Sequence, residues 1–285
     1  MVSDHPMTDH RVIAANPPAA EVRNDTAPSL ADLLGLPESA RLLQRIPKTI
    51  LTDPWTNASP PDARLLNKLV QRAEVIGILR PQTINVPEHH GKSLNVTDIP
   101  LLEVKLTPEV KPRDLTRIAE LLHRGMPRPV VALIHYDGPA AACPVLSLAL
   151  TRPSRSDPTG NTSVIDHAIR VPVAEIASGA LNISNYSRTD LWALYRDLVR
   201  TVATGGSAAT KQLPAVDAIK LRQRLASLEA ELSGVSRDAK REKNAQKRIQ
   251  LNAMGKNLRQ QIEAVKGSLY GESISESDQS ESENE

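Results

Sequence analysis

The sequence predicts an α+β fold: a mixed sheet with flanking helices, followed by a C-terminal coiled-coil helix. Three observations carry this. Pro100–Leu106 alternates, with Leu102, Val104 and Leu106 on one face and Glu103 and Lys105 on the other, the period of a half-buried strand. Pro112–Arg124 follows with Leu115, Ile118, Leu121 and Leu122 in one helical stripe, and Val130–Tyr136 is then an apolar run of β-formers, a central strand. Near the C-terminus Leu221, Leu225, Leu228, Leu232 and Val235 are spaced four, three, four and three, the heptad pattern of a coiled coil.

The remaining elements follow in chain order. Residues 1–28 hold Pro17-Pro18 and no sustained period, and are expected to be a disordered leader. An α+β domain is expected over 29–203. Ser29 caps a first helical turn that ends at Gly35, and Pro37 opens a second short helix, Glu38–Arg45. Asp62–Arg72 reads as an amphipathic helix through Leu65, Leu66, Leu69 and Val70. Glu74–Leu79 and Thr83–Val86 read as strands, and Glu88–Ser93 as a loop. After the central strand, Asp137-Gly138 is a turn and Pro144–Leu150 and Ser163–Val173 return as strands. Thr189–Val202 is a helix with Leu191, Leu194, Tyr195 and Leu198 facing inward. A linker over 204–213 contains Gly205-Gly206, and residues 214–269 form the coiled-coil arm. The heptads return at Leu251, Met254, Leu258, Ile262, Val265 and Leu269, so the arm is one long helix with a weak centre or two helices folded back near Ser233-Gly234. Residues 270–285 form a disordered acidic tail.

Composition narrows the function. Lys+Arg 35 against Asp+Glu 33 leaves a net charge of +2, too balanced for a histone-like binder. Phe is absent and only two Trp and four Tyr are present, so a stacking platform for bases is not expected. The single cysteine, Cys143, excludes a disulfide framework or a multi-cysteine metal site. No apolar run approaches the roughly 20 residues of a membrane span. A cytoplasmic protein with no membrane association is expected.

Few motifs carry chemistry. Phosphate-binding and dinucleotide-binding glycine loops and the Gly-x-Ser-x-Gly elbow are missing, so no cofactor is expected. Glu88, His89 and His90 are neighbours without a third ligand at a fixed spacing, and no metal site is assigned. Glu103-Val104-Lys105 has the Glu-x-Lys spacing with which restriction-type nucleases present a carboxylate and a lysine on one strand face. Such sites also need an acid on a preceding strand. The Thr83–Val86 segment offers none, and Glu74 and Glu88 lack positional support. In the arm, Arg237, Lys240, Arg241, Lys243, Lys247 and Arg248 make a basic stretch, either the solvated face of a coiled coil or a track for DNA phosphates that the acidic tail can screen. Leu221, Leu225, Leu228 and Leu232 are its expected partner-binding seam, through which the chain can self-associate.

Several segments together carry a resemblance. Arg45-Ile46-Pro47-Lys48, Arg80–Val86, Leu102–Leu106, Leu122–Pro127 leading into Val130–Ile134, and Arg241–Asn252 occur in this order. Over about residues 40–268 the chain resembles the bacterial domain-of-unknown-function family DUF4391. The resemblance implies a gene neighbourhood of helicases and DNA methyltransferases in restriction-like antiphage systems, and it carries over no catalytic residue. The expected function is therefore a non-catalytic subunit that couples a helicase or methyltransferase partner through its coiled coil. The alternatives are a metal-dependent nuclease using Glu103 and Lys105, and a DNA-binding adaptor using the basic helix.

Overall fold

The computed structural model describes residues 28–47, 59–92, 94–136, 144–154, 163–207 and 212–271. The helices are α1 (Leu30–Leu33), α2 (Pro60–Leu69), α3 (Pro81–Ile84), α4 (Pro112–Arg124), α5 (Leu191–Ala203), α6 (Ala215–Arg241) and α7 (Ala245–Tyr270). The strands are β1 (Arg41–Arg45), β2 (Val70–Leu79), β3 (His89–His90), β4 (Asn95–Val96), β5 (Ile99–Leu106), β6 (Val131–His135), β7 (Val145–Pro153) and β8 (Ser163–Pro172). Six strands form one sheet in the order β1-β2-β5-β6-β7-β8, and β3 and β4 form a separate two-stranded ladder. Every neighbouring pair is antiparallel except β5 and β6, which are parallel and joined through α4. The fold is thus α+β with a mixed sheet.

Both faces of the sheet are covered, because the side chains of the central strands β5 and β6 alternate between two apolar clusters. Leu101, Val131, Leu133, Leu146 and Leu148 pack with α1, α5 and the first turn of α6. Leu102, Val104, Ala132 and Ile134 pack on the other face with α2 and α4. On that second face Arg117 of α4 holds Asp62 of α2 through two 2.8 Å hydrogen bonds. Asp62 also accepts from Ser59 in a capping box. The guanidinium keeps the Asp62 carboxyl well below its ordinary pKa.

Three predicted elements change, and the expected Glu88–Ser93 loop contains the short strand β3, paired with β4. Arg41–Arg45 is an exposed edge strand instead of part of a helix, and only Glu38–Ala40 remains helical, as a 3-10 turn. Its pairing with β2, Arg41 against Gly77 and Arg45 against Glu74, is a long-range contact that overrides local preference. Thr83–Val86 is not a strand. Pro81 sits at the start of a one-turn helix, Thr83 Oγ1 accepts from the Arg80 N–H at 3.1 Å, and Asn85 closes the turn at φ 51°. The helix expected over Asp62–Arg72 ends at Leu69, and the chain passes directly into β2 at Val70. The expected Asp137-Gly138 turn, Cys143, and nearly all of the leader and acidic tail lie outside the described residues.

The arm is a hairpin of two helices, and its turn is at Glu242-Lys243-Asn244, not near Ser233-Gly234. Asn244 caps α7, its Oδ1 accepting from the N–H groups of Gln246 and Lys247. Ser233 and Gly234 remain helical because a Cβ-less residue costs only about 1 kcal/mol in a helix that is packed along its length.

Tyr195 joins α5 to the sheet where the β6–β7 ladder stops, beyond Val131 and Leu148. Its hydroxyl accepts from the Ala149 N–H at 3.1 Å and faces the carbonyls of Val130 (2.9 Å) and Ala149 (3.0 Å). Tyr195→Phe strands a buried N–H and is expected to cost about 1–3 kcal/mol, read as a lower urea midpoint at constant slope.

Candidate functional site

β2 and β5 bring the charged residues of the sheet together at one end of the α1-covered face. The register sets Glu74 directly against Glu103, Ala73 against Val104 and Arg72 against Lys105. Ala73 and Val104 belong to the opposite apolar cluster, so Glu74, Arg72, Glu103 and Lys105 share the other face. The rows extend on both sides. Arg45 of β1 pairs with Glu74, and His135 of β6 pairs with Lys105. One row therefore reads Arg45, Glu74, Glu103, and the next reads Arg72, Lys105, His135.

Glu74 is 6% exposed, Glu103 is half-buried and Lys105 is exposed. Like charges directly opposite one another on a sheet repel. The structure offsets this with Arg72, whose Nη2 lies 2.6 Å from Glu74 Oε1, and with the Leu30 N–H, which donates to Glu103 Oε1 at 2.7 Å. A pair of carboxylates beside a lysine is a donor set for a hard cation of the Mg²⁺ class, which takes one or two carboxylates and completes its shell with water and substrate phosphate. It does not fit zinc, and among the described residues no group of three His, Cys, Asp or Glu is placed to hold a metal ion.

The register corrects the sequence reading at one point. The neighbour of β5 is β2, and β2 carries the acid that the Thr83–Val86 segment lacks. Arg45, Arg72 and His135 were not legible as site residues, because their placement depends on pairing across the sheet.

The other sequence candidates fall elsewhere. His89 Nδ1 lies 3.1 Å from Asp190 Oδ2, and Asp190 also caps α5 by accepting from the Ala193 N–H at 2.7 Å. His90 lies 3.3 Å from Glu88. The His89–Asp190 contact ties the small ladder to α5. A cavity of about 290 Å³ opens on the opposite face of the sheet, lined largely by apolar residues such as Leu66, Val75, Leu121 and Met126. Leu225 and Leu228 are buried within the chain against α7, clustered with Leu258, Ile262 and Leu269, with Leu221 and Leu232 packed at the margin. The expected partner-binding seam is thus filled from within the hairpin. The basic residues lie around the hairpin turn, all of them exposed. Tyr270 is at the base, where the Ser207 hydroxyl donates to its carbonyl. The acidic tail therefore starts about 39 Å along α7 from the cations it is expected to screen.

A family model described as Domain of unknown function (DUF4391) matches residues 34–262, most of the chain. The chain belongs to this family. The match takes in the whole DUF4391 sheet, both rows of charged residues and the hairpin turn. No curated protein and no solved structure matches the chain. Among the described residues of this DUF4391 protein, no helix is long and apolar enough to cross a membrane.

Proposed function

We propose that this chain is a metal-dependent nuclease subunit of a restriction-like antiphage system, acting on DNA beside a helicase or methyltransferase partner. The observation that carries the reading is the register: Glu74 and Glu103 face each other on adjacent strands, and Lys105 lies one step along the same face. A bound Mg²⁺ or Mn²⁺ supplies Lewis-acid polarisation of the phosphoryl oxygen. Glu74 and Glu103 would hold the ion. Lys105 sets its ammonium toward the attacking water and the phosphate oxygens. Water would add to phosphorus as one P–O ester bond breaks, and the proton that the attacking water gives up would pass through solvent to the leaving oxygen. Arg45, Arg72 and Lys105 are exposed beside the two carboxylates, and their positive charge would draw in phosphate.

The second reading keeps the chain non-catalytic, coupling a helicase or methyltransferase partner through the hairpin. Apolar residues left exposed on α7 favour it: Ile249 at 68% and Met254 at 45%. Supercoiled plasmid and linear duplex incubated with Mg²⁺ or Mn²⁺ separate the two. We expect cleavage that is abolished by EDTA and falls to background in Glu103→Gln and in Lys105→Ala, with unfolding midpoints checked for each variant. Intact DNA with both metals, or equal cleavage by parent and both variants, overturns the nuclease reading.

A further inference from the structure

We propose that the turn of the helical hairpin binds the phosphate backbone of duplex DNA. Arg237, Lys240, Arg241, Lys243, Lys247 and Arg248 are all exposed around this turn, and within 237–248 the acids are Asp238 and Glu242 alone. Glu242 is engaged locally. Its Oε1 accepts from the Asn244 N–H at 2.9 Å and its Oε2 lies 3.6 Å from Lys247 Nζ, contacts that hold the carboxyl below its ordinary pKa. The acid is thus part of the turn that displays the cations.

The distribution along the arm separates this patch from an ordinary solvated face, on which signs alternate. Nearer the body, the exposed Lys220 and Arg224 are matched by Glu229 and Glu231 on the same helix. Toward the turn the balance ends and positive charge accumulates. The base of α6 is fixed to the body by Ala215, Ala218 and Ile219 in the main core, by the Arg222–Glu175 ion pair, and by Gln223 donating to the Ala168 carbonyl. Past Glu229 its buried leucine and valine positions belong to the cluster shared with α7, and this stretch carries the cations roughly 18 Å outward. A cationic tip on a rigid stalk can reach a duplex without the body having to follow it. Neutralised phosphates release counterions, so the interaction is sequence-independent and steep in salt.

The inference shares its substrate class with the hydrolysis proposed above. Binding is read without metal, so the two can fail separately. The experiment is fluorescence anisotropy with a labelled duplex across a salt series in EDTA. It compares the full chain, a tip variant with three charge reversals (Lys240→Glu, Lys243→Glu, Lys247→Glu), a base variant with two (Lys220→Glu, Arg224→Glu), and the tip residues changed to Gln. Helix content by circular dichroism accompanies each. We expect the parent to bind with a steep log–log salt slope. We expect the tip variant to lose at least about tenfold in affinity at low salt and about three units of slope. The Gln variant should lose less, and the base variant should stay within about threefold of the parent. No binding by the parent, or equal losses in the tip and base variants, overturns the proposal.

Discussion

Leu225→Asp combined with Leu228→Asp is expected to melt the hairpin and leave the sheet folded. Leu225 is 4% and Leu228 1% exposed, and both belong to the cluster formed with α7. Each substitution forfeits about 2 kcal/mol of apolar burial and also places a carboxylate within the leucine cluster between the two helices, which brings the pair well beyond an ordinary point-mutant effect. The two helices have no other source of stability over most of their length. Long polar helices depend on packing of their apolar stripe, and here that stripe is α6 on α7. The hairpin holds more than half of the helical residues described, so ellipticity at 222 nm should fall by roughly half. The anchored first turn of α6 and the sheet should keep a cooperative unfolding transition. Trypsin should cut rapidly within 237–248 in the variant and slowly in the parent. Ile249→Asp, at a position already 68% exposed, should change neither readout. Sedimentation distinguishes this from a seam between two chains. A parent dimer that the double variant converts to a monomer with full helix content would show that these leucines bind a second copy.

The same leucines illustrate what the sequence discloses and what it hides. Heptad spacing reveals that Leu225 and Leu228 face a helix, because 3.5-residue periodicity is local. It is silent on whether that helix belongs to the same chain. The deciding feature is the turn at Glu242-Lys243-Asn244, where α6 stops and the Asn244 side chain caps α7, a three-residue signal inside a polar stretch. β5, α4 and β6 were legible for a related reason: alternation, a proline at the helix start and a β-branched run each act within a few residues. β1 was not. Leu42-Leu43 suits a helix as well as a strand, and all five residues of β1 are exposed, so no burial period marks it. The candidate site shows the limit most clearly. Glu103-Val104-Lys105 is visible as a motif, but its acidic partner Glu74 lies 29 positions earlier, and only the antiparallel register places it opposite. Non-local pairing is set by the burial of whole strand faces, which no short window contains.

Acidification is expected to destabilise the protein between pH 6.5 and about 4, and His123 to account for it. His123, in the last turn of α4, is 2% exposed, and its Nε2 lies 3.0 Å from the Ser147 hydroxyl on β7. Its Nδ1 is buried and has no hydrogen-bond partner among the described residues. Burial away from water disfavours the charged ring, and the positive charge of Arg170 adds to this, so its pKa is pushed down to about 4. The unfolded chain keeps the ordinary value near 6.5. Between those limits the unfolded state binds a proton that the folded state refuses, so stability rises with pH across the window. The contribution is fully present above pH 6.5 and is lost as pH falls toward 4. Its size is about 3 kcal/mol, from roughly 1.4 kcal/mol for each unit of displacement. The carboxyl of Asp62 has its pKa lowered instead, so its contribution fades only below the ordinary carboxylate range and does not share the window. His123→Leu should flatten the curve. It removes the titrating ring together with the unpartnered Nδ1, and the loss of the Ser147 contact is independent of pH. Urea unfolding at intervals from pH 4.5 to 7.5 gives the check: the parent should lose stability toward acid, and the difference between parent and variant should vary by about 3 kcal/mol over the full window. Parallel curves for the two proteins would place the acid sensitivity elsewhere and show that His123 accepts its proton in the folded state.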